Sequence, residues 1–63
     1  KSKLTIITDR RTEIFLNPDM IINNLNKLKK FEESIKFIKG INDYKYIDLK
    51  FDNQIVVKEK IYS

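Results

Sequence analysis

The sequence lacks the residue types on which much of the chemistry of small proteins depends. It contains no cysteine, no histidine and no tryptophan, and it has one glycine and one proline. Without cysteine and histidine there is no disulfide framework, no zinc finger, and no thiolate or imidazole to act as a nucleophile or base. A single glycine excludes a glycine-rich phosphate-binding loop. We therefore expect no catalytic residues, no metal site and no cofactor.

The length of the chain limits it to one small domain. Sixty-three residues bury only ~60% of the surface of the unfolded chain, so that burial just offsets the entropy lost on folding. No apolar run approaches the ~18 residues of a membrane-spanning helix. The first residue is Lys1 rather than methionine, and we expect the chain to be a fragment of a longer one, whose missing part covers some apolar surface.

Basic residues outnumber acidic ones. Thirteen Lys and Arg against nine Asp and Glu give a formal net charge of +4, which is compatible with binding to nucleic acid or to an anionic membrane. The chain is also rich in isoleucine and asparagine, a bias typical of AT-rich genomes. We therefore interpret most of the lysines as solvated.

Two β-branched stretches near the N-terminus predict a first hairpin. Lys3–Thr8 and Glu13–Leu16 have the composition of strands. The polar connection between them, Asp9–Thr12, has no glycine and favours a type I turn. Asn17 and Pro18 follow, and they predict the start of a helix because Asn caps helices and Pro suits their first position.

The helix is predicted from about Pro18 to Ser34 or Ile35. Apolar residues recur there at helical spacing, while Asn and Lys largely occupy the remaining surface. The apolar stripe consists of Ile21, Leu25, Leu28, Phe31 and Ile35. We expect this stripe to lie on one face of a sheet. Gly40 is a candidate for the residue that ends the helix.

The C-terminal stretch Tyr46–Ile61 predicts a second hairpin. Its first half alternates between apolar and polar residues, which is the pattern of a strand with one buried face. A β-branched run resumes at Ile55, and the sequence ends soon afterwards. We therefore expect the last strand to lie at an edge of the sheet, where its backbone N–H and C=O groups can pair with another chain.

The turn of the second hairpin has two alternatives. A three-residue turn at 52–54 places apolar residues opposite one another and puts Phe51 in the core. It pairs Phe51 with Ile55 and Leu49 with Val57. A two-residue turn at Asn53-Gln54 shifts this register by one residue.

Together these elements predict the order ββαββ, an α+β fold in which one helix packs on one face of an antiparallel or mixed sheet. Asp48, Asp52 and Glu59 are expected on the second hairpin, where paired carboxylates are one interpretation. Carboxylates on an exposed sheet face are more often solvated or paired with lysine. We predict neither an enzyme nor a small-molecule substrate.

Nucleic-acid binding is one functional hypothesis. Arg10, Arg11 and the lysines of the helix can contact phosphates. Aromatic residues on a sheet can stack on bases, and the candidates are Tyr44, Tyr46 and Phe51. No RNP-like motif accompanies them, and Phe51 belongs to the apolar alternation.

Protein recognition by strand addition is the other hypothesis. An exposed edge strand binds an extended segment through backbone hydrogen bonds, and its alternate side chains give specificity. The last strand has the required composition, with Val56, Lys58, Lys60 and Tyr62 on one face. The alternative is a strand that only completes its own sheet.

Residues Tyr46–Lys58, YIDLKFDNQIVVK, resemble the C-terminal signature of the FtsQ/DivIB bacterial cell-division proteins. In that family an aromatic or aliphatic residue precedes Asp-Leu-Arg-Tyr, a short Asn/Gly turn and a last apolar strand. Asp48, Leu49 and the turn are the specific matches. The first hairpin and the helix with Leu25 and Leu28 also resemble the second half of the family's β domain.

This resemblance implies a non-enzymatic scaffold of the machinery that forms the septum. Members of the family are single-pass proteins of the bacterial inner membrane, with a POTRA domain and a β domain on its extracytoplasmic face. The last strand of the β domain takes up a strand from FtsB, the partner of FtsL. Residues 1–63 would be the distal part of such a β domain, anchored in the membrane upstream. The implied partner-binding residues are Lys50, Phe51, Asn53, Gln54, Ile55, Val56, Val57, Lys58, Glu59 and Lys60.

Three positions depart from the family pattern. Lys50 stands in place of an Arg, which removes a bidentate contact with a carboxylate. Phe51 lacks the hydroxyl group of Tyr. Gln54 stands where Gly often permits positive φ. The implied partner contact is therefore expected to have changed chemistry at these positions.

Overall fold

Four short strands and one helix form the fold of residues 3–61, the part of the chain that the computed structural model describes. The strands are β1 (Leu4–Ile7), β2 (Glu13–Leu16), β3 (Tyr44–Asp48) and β4 (Val56–Glu59). The helix α1 (Ile21–Ile35) lies between β2 and β3 in the chain. The predicted ββαββ order and the α+β class are confirmed.

The strands form one mixed sheet with the order β1-β2-β3-β4. The two hairpins are antiparallel, and the central strands β2 and β3 are parallel to each other. Parallel neighbours need a long crossover connection, and the segment that contains α1 supplies it. Of the two predicted sheet types, the mixed one is therefore correct.

The connection between β1 and β2 is a tight turn. The N–H of Arg11 donates to the carbonyl oxygen of Thr8 at 2.9 Å, and the N–H of Thr8 donates to that of Thr12 at 2.9 Å. Arg11 has φ 69°, the left-handed conformation that follows a type I turn in three-residue hairpin loops. The hydrogen bonding agrees with the predicted turn, but a non-glycine residue takes the strained position.

The start of the helical segment follows the prediction from Asn17 and Pro18. The side-chain oxygen of Asn17 accepts a hydrogen bond from the N–H of Asp19 at 2.9 Å. Pro18 begins one turn of 3₁₀ helix, Pro18–Met20, which runs directly into α1. The helix then ends at Ile35, as predicted.

The core lies between α1 and one face of β2, β3 and β4. Its buried aliphatic and aromatic residues are Ile14, Leu16, Tyr44, Ile47 and Leu49. Leu28, Phe31 and Ile35 of α1 pack against them. Two members of the predicted stripe, Ile21 and Leu25, do not pack against the core, and they are 36% and 42% exposed.

The exposure of Ile21 and Leu25 shows that the helix is rotated about its axis relative to the prediction, and Asn24 explains this rotation. It was expected on the polar surface, but it is 2% exposed, and its side-chain oxygen accepts a hydrogen bond from the N–H of Asn17 at 2.7 Å. A buried amide needs such a partner. The contact fixes Asn24 on the inner face of α1, and Leu25, the next residue, is turned to the flank.

The register of the second hairpin differs from both predicted alternatives. Ile47 pairs with Val57, and Asp48 pairs with Val56, so residues 49–55 form a longer loop than either predicted turn. Val57 lies two residues from its expected partner, Leu49. A shift of two residues keeps every side chain on its face of the sheet, and Val57 still packs on the core.

Gly40 does not end the helix in the left-handed conformation. Its φ of -114° and ψ of 170° are those of extended backbone. Its N–H donates to a side-chain oxygen of Asp43 at 2.8 Å, at the start of a second 3₁₀ turn, Ile41–Asp43. The prediction for Gly40 was therefore wrong, since this glycine begins the next element instead.

A candidate strand-addition edge

Both outer strands of the sheet pair on one side only within residues 3–61. β1 has β2 as its neighbour and β4 has β3. β4 contains four of the ten predicted partner-binding residues, Val56–Glu59. The prediction that this strand lies at an edge is confirmed, and the structure adds β1 as a second edge.

The direction of the backbone groups of β4 follows from two hydrogen bonds. The N–H of Leu49 donates to Phe15 in β2 at 2.9 Å, so the N–H groups of Asp48 and Tyr46, one and three residues before it, face β4. The N–H of Lys60 donates to the carbonyl oxygen of Asp43 at 3.0 Å.

Backbone N–H groups alternate in direction along a strand. The N–H groups of Lys58 and Val56 therefore face β3, as that of Lys60 does. Those of Val57 and Glu59 face away from the sheet. An added strand would form its backbone hydrogen bonds with Val57 and Glu59.

Lys50 and Phe51 lie immediately after β3, where a local contact ends the strand. The carboxylate of Asp48 accepts a hydrogen bond from the N–H of Lys50 at 3.0 Å and one from its ammonium group at 2.9 Å. A contact two residues along the chain is typical of a turn that begins with Asp. Phe51 is consequently outside the strand and 46% exposed, which contradicts its predicted place in the core.

The loop 49–55 is held by one lysine of the helix. The ammonium group of Lys27 donates to the carbonyl oxygen of Phe51 and, at 3.4 Å, to that of Gln54. Asn53 and Gln54 are exposed, whereas Ile55 packs against the core. No sequence pattern indicated this long-range anchor, because lysine most often extends into solvent.

The side chains of β4 divide between the two faces of the sheet. Val57 packs on the core, while Val56 and Lys58 are exposed. The carboxylate of Glu59 lies 2.6 Å from the ammonium group of Lys39, and this hydrogen bond raises the pKa of Lys39 above its ordinary value. Tyr62, predicted on the same face as Val56, lies outside the described residues.

Both donor groups of Lys60, its backbone N–H and its ammonium group, form hydrogen bonds within the chain. Besides its backbone bond to Asp43, its ammonium group donates to the carbonyl oxygen of Arg10 at 2.8 Å. The end of β4 is thereby tied to the turn between β1 and β2. Of the ten predicted residues, Lys50 and Lys60 are the two whose ammonium groups already have partners within the domain.

A buried group of polar side chains at the same end of the sheet was not anticipated. Thr12 is fully buried, and its hydroxyl group donates to the carbonyl oxygen of Tyr44 at 2.7 Å. The hydroxyl group of Thr8 donates to the side-chain oxygen of Asn42 at 2.7 Å and accepts from the N–H of Thr12 at 3.1 Å. These bonds join the first hairpin to the start of β3.

The three acidic residues considered as paired catalytic carboxylates do not form a pair, because each has a different environment. Asp48 pairs with Lys50 and Glu59 with Lys39, and Asp52 is exposed in the loop. Within residues 3–61, no group of three Asp, Glu, His or Cys side chains is arranged to hold a metal ion. Over the same residues, no helix combines the length and apolar character needed to cross a bilayer.

The residues of the nucleic-acid hypothesis fall on different parts of the fold. Arg10 and Arg11 are exposed in the first turn, and Tyr44 is buried against Phe31 with ring centroids 5.5 Å apart. Tyr46 instead lies on the face of the sheet opposite the helix. There it contacts Phe15 on the neighbouring strand, with ring centroids 5.7 Å apart.

Comparison with family models, with curated proteins and with solved structures gives no match to this chain. The resemblance to the FtsQ/DivIB family therefore rests on the quoted residues of the second hairpin and on the order of the elements around it.

Proposed function

We propose that this chain is part of a non-enzymatic scaffold of the bacterial septum-forming machinery, and that β4 binds a strand of an FtsB/FtsL-type partner. The observation that carries the proposal is the open edge of β4, where the N–H groups of Val57 and Glu59 face away from the sheet. Edge strands with such groups accept an added strand in many recognition domains. The proposed location is the extracytoplasmic face of the cytoplasmic membrane at the division septum, with the parent chain anchored upstream.

The loop before β4 adds a second contact surface to this edge. Phe51, Asn53 and Gln54 are exposed there, and the anchor from Lys27 fixes the backbone that presents them. An aromatic residue beside polar groups is a common composition for the centre of a protein interface. A partner strand paired with β4 would therefore also contact the side chain of Phe51 at one end.

The two specific residues of the resemblance have clear physical roles in this fold. Asp48 ends β3 by accepting hydrogen bonds from Lys50, and Leu49 is fully buried. The Asp-Leu pair therefore fixes where the strand stops and where the exposed loop begins. An Asp that ends the strand and a buried Leu after it would position a contact residue in the same way in other domains of this fold.

The departure at Lys50 changes what the edge can offer. Its ammonium group is already bound to Asp48, and it lies 5.2 Å from the centre of the Phe15 ring and 5.8 Å from that of Phe51. A lysine in this position supplies a point charge rather than the planar fork of an arginine. We propose that backbone pairing and Phe51 make the main contributions here.

The test is a titration of the isotopically labelled chain with a peptide that covers the strand-forming segment of an FtsB-type partner, followed by NMR. Glu59→Pro removes an outward N–H and leaves the ladder with β3 in place. We expect it to weaken binding by about fivefold to tenfold, the equivalent of one backbone hydrogen bond. Glu59→Ala is the matched control, since it loses the same side chain but keeps the N–H.

Lys58→Pro serves as the control for the direction of the backbone groups. Its N–H faces β3, so this substitution should disrupt the hairpin itself. The proposal is wrong if Glu59→Pro folds and binds the peptide as tightly as Glu59→Ala. It is also wrong if the shifts on titration map to β1 or to the helix instead of β4.

A second candidate function is binding to single-stranded nucleic acid, and the open face of the sheet favours it. Phe15 and Tyr46 lie side by side on the two central strands, and Lys3 is 5.2 Å from the centre of the Phe15 ring. Stacking of bases on such aromatic residues contributes about 1–3 kcal/mol per base. Phe15→Ala should then weaken a salt-sensitive shift of labelled single-stranded DNA or RNA. If no shift appears at low salt, this candidate is excluded.

A further inference from the structure

A groove of about 460 Å³ lies between α1 and the loop 49–55, next to the start of β4. Its apolar part consists of Phe31 from the helix and Ile55 from the loop, which are half-buried and pack against the core. Both walls of the groove belong to internal elements of the chain. The groove is therefore a feature of how the helix and the loop pack.

The helix wall of this groove is polar. Lys27, Lys30 and Ser34 line it, and at about 100° per residue they fall within about 60° of one another around the helix axis. By the same spacing, Ile21 and Leu25 lie on the other flank of α1. The flank of the helix that borders β4 is thus the basic one.

The positive charges of the groove have no acidic partner within residues 3–61. None of the residues that line it is acidic. The ammonium group of Lys27 donates to two neutral carbonyl oxygens, which leaves its charge uncompensated and one of its three donors unused. Lys30 is exposed and belongs to none of the ion pairs of the described residues. Two cations beside an apolar surface favour an anionic group with an apolar neighbour.

A strand added to β4 would extend the sheet past this groove. It would lie about 4.8 Å from β4, with alternate side chains on the helix side. Val57 is the helix-side residue of β4 that packs on the core, and Ile55 lies two residues before it, on the wall of the groove. The side chain of the added strand that comes to lie beside Ile55 is therefore next to Lys27 and Lys30.

We propose that the strand bound by β4 carries an acidic residue at this position, and that its carboxylate enters the groove and pairs with Lys30. The inference rests on the function proposed above and adds the chemistry of the partner strand. Lys27 contributes a second positive charge while it holds the loop. Two residues along the added strand, beside Val57, the helix-side residue is apolar, because cross-strand neighbours on a covered face pack against each other.

The probe is the partner peptide of the strand-addition test, with each acidic residue replaced in turn by its amide. We expect one replacement to weaken binding by about threefold to fivefold, the range of a partly exposed ion pair. That loss should disappear in Lys30→Met, because the double change then removes the same interaction as either single change. Lys30→Arg keeps the charge and should bind like the parent chain.

Charge reversal gives the larger effect. Lys30→Glu should weaken binding of the peptide by about tenfold at low ionic strength, and the difference should shrink in high salt. Lys29→Glu is the matched control, since Lys29 is exposed and lies about 160° from Lys27 around the helix. It changes the net charge by the same amount and should alter affinity by less than about twofold. Circular dichroism of both variants checks that the fold is unchanged.

The outcomes separate this inference from the function on which it rests. If Glu59→Pro binds as tightly as Glu59→Ala, strand addition itself is wrong and the groove proposal falls with it. If Glu59→Pro weakens binding but Lys30→Glu behaves like Lys29→Glu, the strand pairs with β4 and the groove proposal alone is overturned. It is also overturned if every amide replacement costs the same in the parent chain and in Lys30→Met. A peptide affinity that Lys30→Glu leaves unchanged, together with a lost shift of single-stranded RNA, would assign this flank to phosphates instead.

Discussion

Strands β1 and β4 lie at the two edges of the same sheet, but they are stabilised in different ways. β4 is fastened by contacts with other elements: the adjoining Lys60 donates to the carbonyl oxygens of Asp43 and Arg10, Glu59 pairs with Lys39, and Val57 packs on the core. β1 is held by its pairing with β2, and its residues Leu4–Ile7 are all exposed.

The cause of this difference is the position of the helix. The crossover connects β2 to β3, and the contact of Lys27 with the loop 49–55 holds the helix on the β4 side. β1 is left beside the covered area rather than under it. One edge is thus a charged strand backed by a core, and the other is an apolar strand without one.

The largest expected effect tests where the core is. Leu49→Ala removes a side chain that is fully buried, and we expect it to lower the free energy of unfolding by about 3 kcal/mol. Leu4→Ala, the same substitution at the β1 edge, should cost less than about 1 kcal/mol. Urea denaturation followed by circular dichroism measures both. Equal losses would show that β1 belongs to the core after all.

The next effect concerns the buried polar contacts that join the first hairpin to β3. Thr12→Val keeps the shape of the side chain but removes the donor to the carbonyl oxygen of Tyr44, and it should cost about 2 kcal/mol. Thr5→Val at the exposed β1 position is the control and should change stability by less than about 0.5 kcal/mol. If the two variants unfold at the same denaturant concentration, the contact from Thr12 contributes little.

The anchor of the loop before β4 should have an effect of intermediate size. Lys27→Met removes the donor to Phe51 and Gln54 while it preserves the length of the side chain, and we expect a loss of about 1 kcal/mol. Hydrogen exchange at the loop amides should become faster as well. Lys29→Met, on an exposed part of the same helix, is the control, and a similar response to it would disprove the role of Lys27.

A substitution in the turn after β1 should increase the stability of the domain slightly. Arg11 has φ 69°, a conformation that costs a side chain about 1–2 kcal/mol, whereas glycine adopts it freely and loses only some entropy in the unfolded chain. Arg11→Gly should therefore stabilise the domain by about 0.5–1 kcal/mol. Arg10→Gly should not stabilise it, and thermal unfolding of the two variants tests the difference.

The smallest effect concerns the ion pair on β4. The pKa of Lys39 is raised by its hydrogen bond with Glu59, so its contribution is complete below the ordinary lysine pKa of 10.5 and is lost as pH rises through the folded-state value. Glu59→Gln should lower the free energy of unfolding slightly at neutral pH, where the pair is intact, and its difference from wild type should disappear above that pH. Glu33→Gln, in the exposed pair with Lys36, is the control for charge alone. A difference in the free energy of unfolding between wild type and Glu59→Gln that is the same at neutral and at alkaline pH would contradict this assignment.

Local patterns predicted the elements of this fold well. Asn17 and Pro18 marked the start of the helical segment, and apolar spacing predicted its end near Ile35. The β-branched runs located β1, β2 and β4, and apolar alternation located β3, which begins and ends earlier than predicted. These signals depend on contacts within a few residues, which is why the sequence reveals them. The edge position of the last strand was also predicted, and with it the general location of the candidate site.

The details of the site depend on contacts between distant residues. The hairpin register was mispredicted because Asp48 ends β3 early and Leu49 bonds to Phe15 in β2, whereas the sequence pattern favoured a turn at 52–54. Asn24 is buried because its side-chain oxygen accepts a hydrogen bond from the N–H of Asn17. No local pattern distinguishes a lysine that anchors a loop, such as Lys27, from one in solvent.

The sequence by itself determined the order of strands and helix, the cap at Asn17 and the alternation that keeps Val57 on the core face, since each follows from local geometry or from a period along the chain. The tertiary structure decided that β1 became the second edge within residues 3–61, how far the helix covers the sheet, and which backbone groups face outward. These depend on pairing and packing across the sheet, where one side-chain contact, such as that of Lys27 or Asn24, can rotate or shift a whole element.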